Sequence, residues 1–418
     1  MRRIAIVGAG QAGLHLALGL RAHDYDVTLH AARTPDEVRG GTVLSTQVMY
    51  GPAHALERAA GLALWEAETP AMTSLRVTPA DPAGSPRRGF SSLFDEPAHS
   101  VDQRVKTARW LELFEERGGR TAYGAVGPER LERIAGAHDL TVVASGRGPL
   151  SELFGRDERH SPYDRPQRTL ATVYVHGATP RPDADGPQLR ATSMGGQGEF
   201  FALEGTTLDG PCSILLWEAV PGGPLDRWQD LAKARPSPSP DDALGQGLDL
   251  LRTHAPWEYE LCAGARPTDA GAALVGAVTP VVRHPVARVA PGVHVLGMAD
   301  AVVVNDPVTG QGANSAARCA DGYLRAILDH GEKPFDRTWM LRTFAAFWDH
   351  ARHAVSLTNL LLGPPPEHVR QVLATAEEHP EVAHRYANGF ADPAGFWEWL
   401  LDAERCAAYV TAVTGRAV

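Results

Sequence analysis

The 418-residue sequence predicts an α/β fold: a parallel-sheet domain split along the chain, an inserted β-rich domain, and a C-terminal helical layer. Three observations predict it. The chain opens with an apolar run, a glycine-rich turn and a helically spaced segment. Its middle carries short β-rich runs with Gly or Pro close by, and everything after Lys333-Pro334 follows a helical period.

Residues 4–7 read as a buried strand, and Leu14, Ala17, Leu18 and Arg21 then keep helical spacing. Residues 26–30 give the next strand. Between Pro70 and Pro97 the helical period fails, proline and glycine are frequent, and 74–77 reads as a short strand. Helix returns over 104–118, where Val105, Ala108, Leu111 and Phe114 share one face, and 140–144 is another buried strand of parallel type. Strands at 170–176, 198–203 and 213–217 predict an antiparallel second domain. A proline-rich connector at 236–240 precedes a helix over 244–254, and a buried strand at 292–296 returns the chain to its first domain. Helices follow at 339–362, 366–378 and 396–414. The first domain is therefore expected over 1–40, 100–160 and 285–333, the inserted domain over 41–99 and 161–284, and the helical layer over 334–418.

Composition narrows the function. Lys+Arg 40 against Asp+Glu 50 gives a net charge of −10 with no basic stripe, which argues against nucleic acid. Cys212, Cys262, Cys319 and Cys406 lie at least 50 residues apart with no CxxC and no nearby His at metal-ligand spacing, so reduced thiols and no metal are expected. The longest later apolar stretch, 270–282, contains Gly271, Gly276 and Pro280 and is too short for a membrane span. Glycines break the N-terminal apolar run after four residues, and no cleavage site follows, so a cytoplasmic protein is expected.

Gly8-Ala-Gly10-Gln11-Ala12-Gly13 fits GxGxxG between a strand and a helix, the context of a dinucleotide site. Gly8 permits the turn, Gly10 lets a pyrophosphate approach the backbone, Gly13 allows close packing, and the helix N-terminus supplies positive potential. A carboxylate for the ribose is expected at the end of the second strand, but that strand ends His30-Ala31-Ala32-Arg33. Either the adenosine end is held less firmly, suiting a flavin that enters and leaves, or Asp36 or Glu37 substitutes. Downstream, a strand ends at Asp300, followed by Asp306-Pro307-Val-Thr-Gly310-Gln-Gly312-Ala313-Asn314 and a helix. A long dinucleotide such as FAD needs this second segment. Asp300 would accept ribityl hydroxyls, and the N–H groups around Gly312 to Asn314 would meet the pyrimidine edge, where reduced flavin carries negative charge. No second nucleotide fingerprint exists, so no NAD(P)H site is expected.

The run 8–29, the Val101-Asp-Gln-Arg104 segment and the 306–314 segment resemble the styrene and indole monooxygenases, over nearly the whole chain. The resemblance implies a two-component epoxidase that takes reduced, diffusible FAD from a separate NADH-dependent flavin reductase, acts on a small aromatic with O₂, and forms a homodimer. Cofactor contacts are implied for Gly8, Gly10, Gln11, Ala12, Gly13, Arg104, Asp300, Pro307, Gly310, Gly312, Ala313 and Asn314. Ser45, Gln47 and Met49, at alternate residues of a pocket strand, resemble the indole-type S-x-Q-x-M, with Met72, Leu75 and Ala98 completing the substrate pocket. Thr42 stands where the family commonly has Arg. The favoured reaction is epoxidation of indole at C2=C3, with Gln47 accepting the indole N–H; the alternatives are styrene-type epoxidation or sulfoxidation, hydroxylation of a larger aromatic, or a flavin-binding protein or dehydrogenase that does not oxygenate. The flavin carries the oxygen, so no catalytic acid or base is assigned.

Overall fold

The computed structural model describes residues 2–81, 84–146, 148–233 and 238–415 and contains two principal sheets. The first has the order Val286–Ala290, Val293–Gly297, Leu140–Val143, Arg3–Val7, Asp26–Ala31, Arg120–Tyr123. Its neighbours run parallel except Val286–Ala290, which is joined to the next strand as an antiparallel hairpin. Ile4, Ala5, Ile6 and Val142 are wholly buried because helices cover both sheet faces, as the unbroken apolar runs require. Each such Ile or Val contributes roughly 1.5–3 kcal/mol by leaving water. Helix Gln11–Ala22 lies against helix Gln311–His330, closely enough that a Cβ on Gly19 would come within 2.6 Å of Leu324 Cδ2.

The second sheet runs Arg266–Pro267, Thr169–His176, Gly210–Ala219, Gly198–Thr207, Gln188–Met194, Met72–Ala80, Phe90–Ala98, and Ala273–Ala277 also pairs with Thr169–His176. It is mixed rather than antiparallel throughout, because Met72–Ala80 runs parallel to Gln188–Met194. Those two strands come from separate stretches of chain and are not tied by a hairpin, so no short turn dictates their direction. The β reading of 74–77 and of the three central strands holds, while Phe90–Ala98 and Gln188–Met194 escaped it.

Helix Pro240–His254 starts at a capping box in which Ser239 accepts from the Asp242 N–H; residues 236–237 of the connector lie outside the described residues. The C-terminal layer comprises Arg337–Leu362, Glu367–Ala376, Pro380–Gly389, Ala394–Trp397 and Ala403–Thr414. The helix expected over 396–414 is therefore broken. Trp399 and Leu400 turn into the core, and Asp402 caps a new helix by accepting from the Arg405 N–H. Among the described residues no helix is long and apolar enough to cross a membrane.

Candidate functional site

The carboxyl ends of the parallel strands converge on two glycine turns. Gly8 has φ +122°, and a Cβ there would sit 2.8 Å from the Ala144 carbonyl carbon. Its N–H donates to the His30 carbonyl, and a Cβ on Gly13 would come within 2.0 Å of the Gly8 oxygen. Gly10 differs: a Cβ there would meet nothing within 4 Å, so the turn is open on the side where a diphosphate would approach. Helical bonding starts with Leu14 N–H to the Gly10 carbonyl and no side chain caps the turn, leaving the amides of Gln11, Ala12 and Gly13 to an anion.

The second turn faces the first. After strand Val293–Gly297 the Met298 N–H donates to the Val143 carbonyl, and Asp300 emerges exposed beside Gly146. Asp306 caps the short turn Pro307–Thr309 by accepting from the Val308 N–H, and Gly310, at φ +64°, opens helix Gln311–His330. A Cβ on Gly312 meets nothing within 4 Å, so this helix start is open too. Gln11 Nε2 donates to the Ala313 carbonyl at 3.2 Å and so joins the two helix starts. Two open, adjacent helix N-termini with an exposed acid at a strand end fit a cofactor carrying a diphosphate and a polyol, such as FAD.

Asn314 fastens residues 48–50 to this place. Its Oδ1 accepts from the Tyr50 N–H at 2.9 Å, and its Nδ2 donates to the Val48 and Gly310 carbonyls, each at 2.8 Å. The segment carrying Ser45, Gln47 and Met49 is extended but is not a sheet strand; a lone bridge pairs Met49 with His99, and Val43 N–H donates to the Gly271 carbonyl. Gln47, Val48, Met49 and Tyr50 are all buried and Ser45 is half-buried, its carbonyl accepting from the Tyr174 hydroxyl at 3.0 Å. Met49 packs on Ala53, Ala313 and Ala317, while Val48 and Tyr50 join Met72, Leu75 and Ala98 in an apolar cluster behind. Of the six pocket candidates, Gln47 and Met49 lie beside the glycine turns and Met72, Leu75 and Ala98 pack in core, linked where Met72 pairs with Ala98 and His99 with Met49, while Ser45 is tied to Tyr174.

A buried polar chain underlies the first set. Lys106 Nζ donates to both Glu57 oxygens at 3.0 and 2.9 Å, with Lys106 2% and Glu57 1% exposed. Burial raises the Glu57 pKa against the lowering pull of Lys106. Gln11 Nε2 donates to Glu57 Oε1 at 2.9 Å, and Gln103 Nε2 donates to both Gln11 Oε1 and Gln47 Oε1. His54 and His99 stack at 4.5 Å beside a narrow cavity that Met49, Thr69 and Lys106 also line. Burial holds the His54 pKa down at about 4, so its imidazole is neutral. Gln47 Oε1 accepts from Gln103, so an indole N–H would have to share that oxygen.

Other candidates stand apart. Arg104 spends every N–H inside the protein, on Asp102, Asp269, Thr207 and the Gly41 carbonyl, and is wholly buried. It ties three segments together and has no donor left for a cofactor, correcting the expectation from the 101–104 motif. Glu37 is committed to a capping box with Thr34, and Asp36 is exposed near Arg39. Near that strand end the buried His30 ring has no hydrogen-bond partner among the described residues, and burial lowers its pKa to about 4. Sequence reasoning missed Glu57, Gln103, His54, His99 and the Asp306–Glu218 pair. The one available signal was Lys106, a rare lysine set four residues before buried Trp110 on an inward helix face. Glu218 is wholly buried against Asp306, and burial pushes Asp306 up to about 7 and Glu218 well above the usual carboxylate range.

Comparison with known proteins agrees with this geometry. Residues 146–260 match the family model of the styrene monooxygenase A substrate-binding domain. The chain is 30% identical over 416 residues to the styrene monooxygenase StyA of Pseudomonas fluorescens, covering 97% of this chain and 96% of that one, and equally to a StyA from a Pseudomonas species. In fold it is similar to the myxobacterial chondrochloren halogenase CndH, with TM-score 0.61 and 15% identity over 99% of this chain and 97% of that one. A flavoprotein/dehydrogenase from Cytophaga hutchinsonii gives TM-score 0.64 at 10% identity, over 99% of both chains. The chain belongs to the styrene monooxygenase family of flavin-dependent monooxygenases.

Proposed function

We propose that this chain is the oxygenase of a two-component system, using FAD reduced by a separate NADH-dependent reductase to epoxidise the C2=C3 bond of indole or a related aromatic alkene. The observation that carries the reading is the Asn314 clamp, which holds residues 48–50 against the open start of the Gln311–His330 helix. When bound, FAD supplies the oxygen-transfer chemistry, and the chain supplies position and dryness. The amides after Gly10 hold the diphosphate, Asp300 accepts from the polyol, and the open amides near Gly312 favour an anionic ring. Met49, 1% exposed, and the apolar cluster of Met72, Leu75 and Ala98 keep water from the reacting centre, where it would divert oxygen to peroxide. A cytoplasmic homodimer is part of the same reading.

The test is direct. The purified chain with FAD, NADH, a generic flavin reductase and indole should form indigo. NADH consumption that yields hydrogen peroxide and no oxygenated product from indole, styrene or thioanisole would refute oxygenation.

A further inference from the structure

We propose that Gln47 meets the substrate as a hydrogen-bond donor, so that the pocket prefers aromatic alkenes carrying an acceptor atom near the reacting bond over N–H donors. This rests on the wider part of the functional reading above, oxygenation of an aromatic alkene, and moves its substrate class from indole to acceptor-bearing alkenes.

The polarity is set from the protein interior outward. Lys106 can only donate, and it occupies both oxygens of Glu57. The Ala313 carbonyl can only accept. Gln11 stands between Glu57 and Ala313 and must turn Nε2 to them, at 2.9 and 3.2 Å. Its Oε1 therefore points to Gln103, which has to answer with Nε2, at 2.8 Å. The second N–H of that amide goes to Gln47 Oε1. Rotating Gln47 by half a turn would set two N–H donors against each other. Three amides thus carry the constraint from Ala313 and Glu57 to Gln47, and Ala313 would impose it even if Glu57 took up a proton.

The backbone of Gln47 is fixed as well, since its carbonyl accepts from Ser100 Oγ at 2.6 Å. Gln47 is 7% exposed, and its Nε2 is buried without a partner among the described residues. A buried amide donor left unpaired is costly, and a substrate acceptor relieves that cost. An indole N–H offered to the same atom would leave two donors unpaired. Gln103 Oε1 is the acceptor left without a partner in this chain of amides. A ligand N–H would be met there, or would have to share Gln47 Oε1 with Gln103.

The experiment compares near-isosteric substrates. Styrene is set against 2-vinylpyridine, and indole against benzofuran, with the full-length chain, FAD, NADH and a flavin reductase. The acceptor-bearing member of each pair should have the higher kcat/KM, by about tenfold for the pyridine. Gln47→Leu should abolish both preferences. Gln47→Glu, which replaces the donor with an acceptor, should turn preference towards indole. Binding of styrene and 2-vinylpyridine to the chain loaded with oxidised FAD, followed by flavin absorbance, gives the same comparison without turnover. If none of the four is oxygenated, the functional reading fails while the ratio of Kd values still decides the donor. A wild-type preference for styrene and indole, or a ratio unchanged in Gln47→Leu, overturns the proposal. So does a Gln47→Leu variant whose affinity for FAD falls while the substrate ratio stays the same, because the amide would then face the flavin.

Discussion

Lys106→Met removes a buried cation and leaves its partner almost unchanged in surroundings. The side chains of Lys106 and Glu57 are 3% and 1% exposed, and after the substitution only Gln11 still donates to the carboxylate. Breaking a buried pair from one side costs about 3–5 kcal/mol, because an uncompensated charge remains in a medium that solvates it poorly. Lys106 Nζ also lies 5.4 Å from the Trp110 ring, and losing that contact adds roughly 0.5–1 kcal/mol. Methionine replaces most of the aliphatic stem, so little of the loss is packing. Without Lys106, Glu57 relaxes by taking up a proton. A carboxyl whose pKa is raised by folding stabilises the fold most below its unfolded pKa and loses that contribution as pH rises through its folded pKa. The deficit of the variant should therefore widen from pH 5 to pH 8. Glu57→Gln combined with Lys106→Met removes both charges and should recover most of the loss, to within about 1–2 kcal/mol of the parent. Equilibrium unfolding in urea at both pH values, read by tryptophan fluorescence, measures all three proteins. A loss under 1 kcal/mol in Lys106→Met, or a double variant no more stable than the single one, would refute the buried-pair argument.

Asn314→Ala leaves the Tyr50 N–H and the Val48 carbonyl unpaired, at about 1–3 kcal/mol each, and should weaken FAD binding; unchanged stability and affinity would show that the clamp is dispensable. Gly8→Ala should cripple folding through its φ of +122° and its contact with Ala144, whereas Gly10→Ala should change stability by under about 0.5 kcal/mol and yet impair FAD binding. Equal stability losses at the two glycines would contradict that division. Glu218 and Asp306 face each other with Arg168, Glu199 and Tyr163 as the neighbouring titratable groups, and burial raises the pKa of both acids. The stability they confer is complete below about pH 4 and is lost as pH rises through about 7; Glu218→Gln should flatten that decline, and a flat parent profile would exclude it. Finally, NADH alone should not bleach FAD held by the chain, since the single GxGxxG turn is assigned to FAD; rapid bleaching in stopped flow without a reductase would reveal a nicotinamide site.

Much of the parallel-sheet half with its glycine turns was legible in sequence because its determinants are local. A glycine at φ +122°, the open space over Gly10 and a helix start belong to one continuous turn, and the residues that make the turn are also those that would bind. The second turn at Gly310 to Asn314 was readable for the same reason. Sheet pairing was harder: Met72–Ala80 joins Gln188–Met194 across more than a hundred residues, and nothing in either stretch specifies a parallel partner. Arg104 shows the limit most plainly. An arginine in a family-like motif looks available, and only its neighbours Asp102 and Asp269, the latter 165 residues away, show that its donors are spent. The polarity of Gln47 is set by Gln103, Gln11, Glu57 and Ala313, which lie on four separate segments. Sequence by itself determined where the backbone turns and which faces are apolar, because φ and hydrophobic period are properties of adjacent residues. Which donor meets which acceptor was decided by tertiary structure alone, because a hydrogen bond is directional and its partner is selected by distance in space, not by distance along the chain.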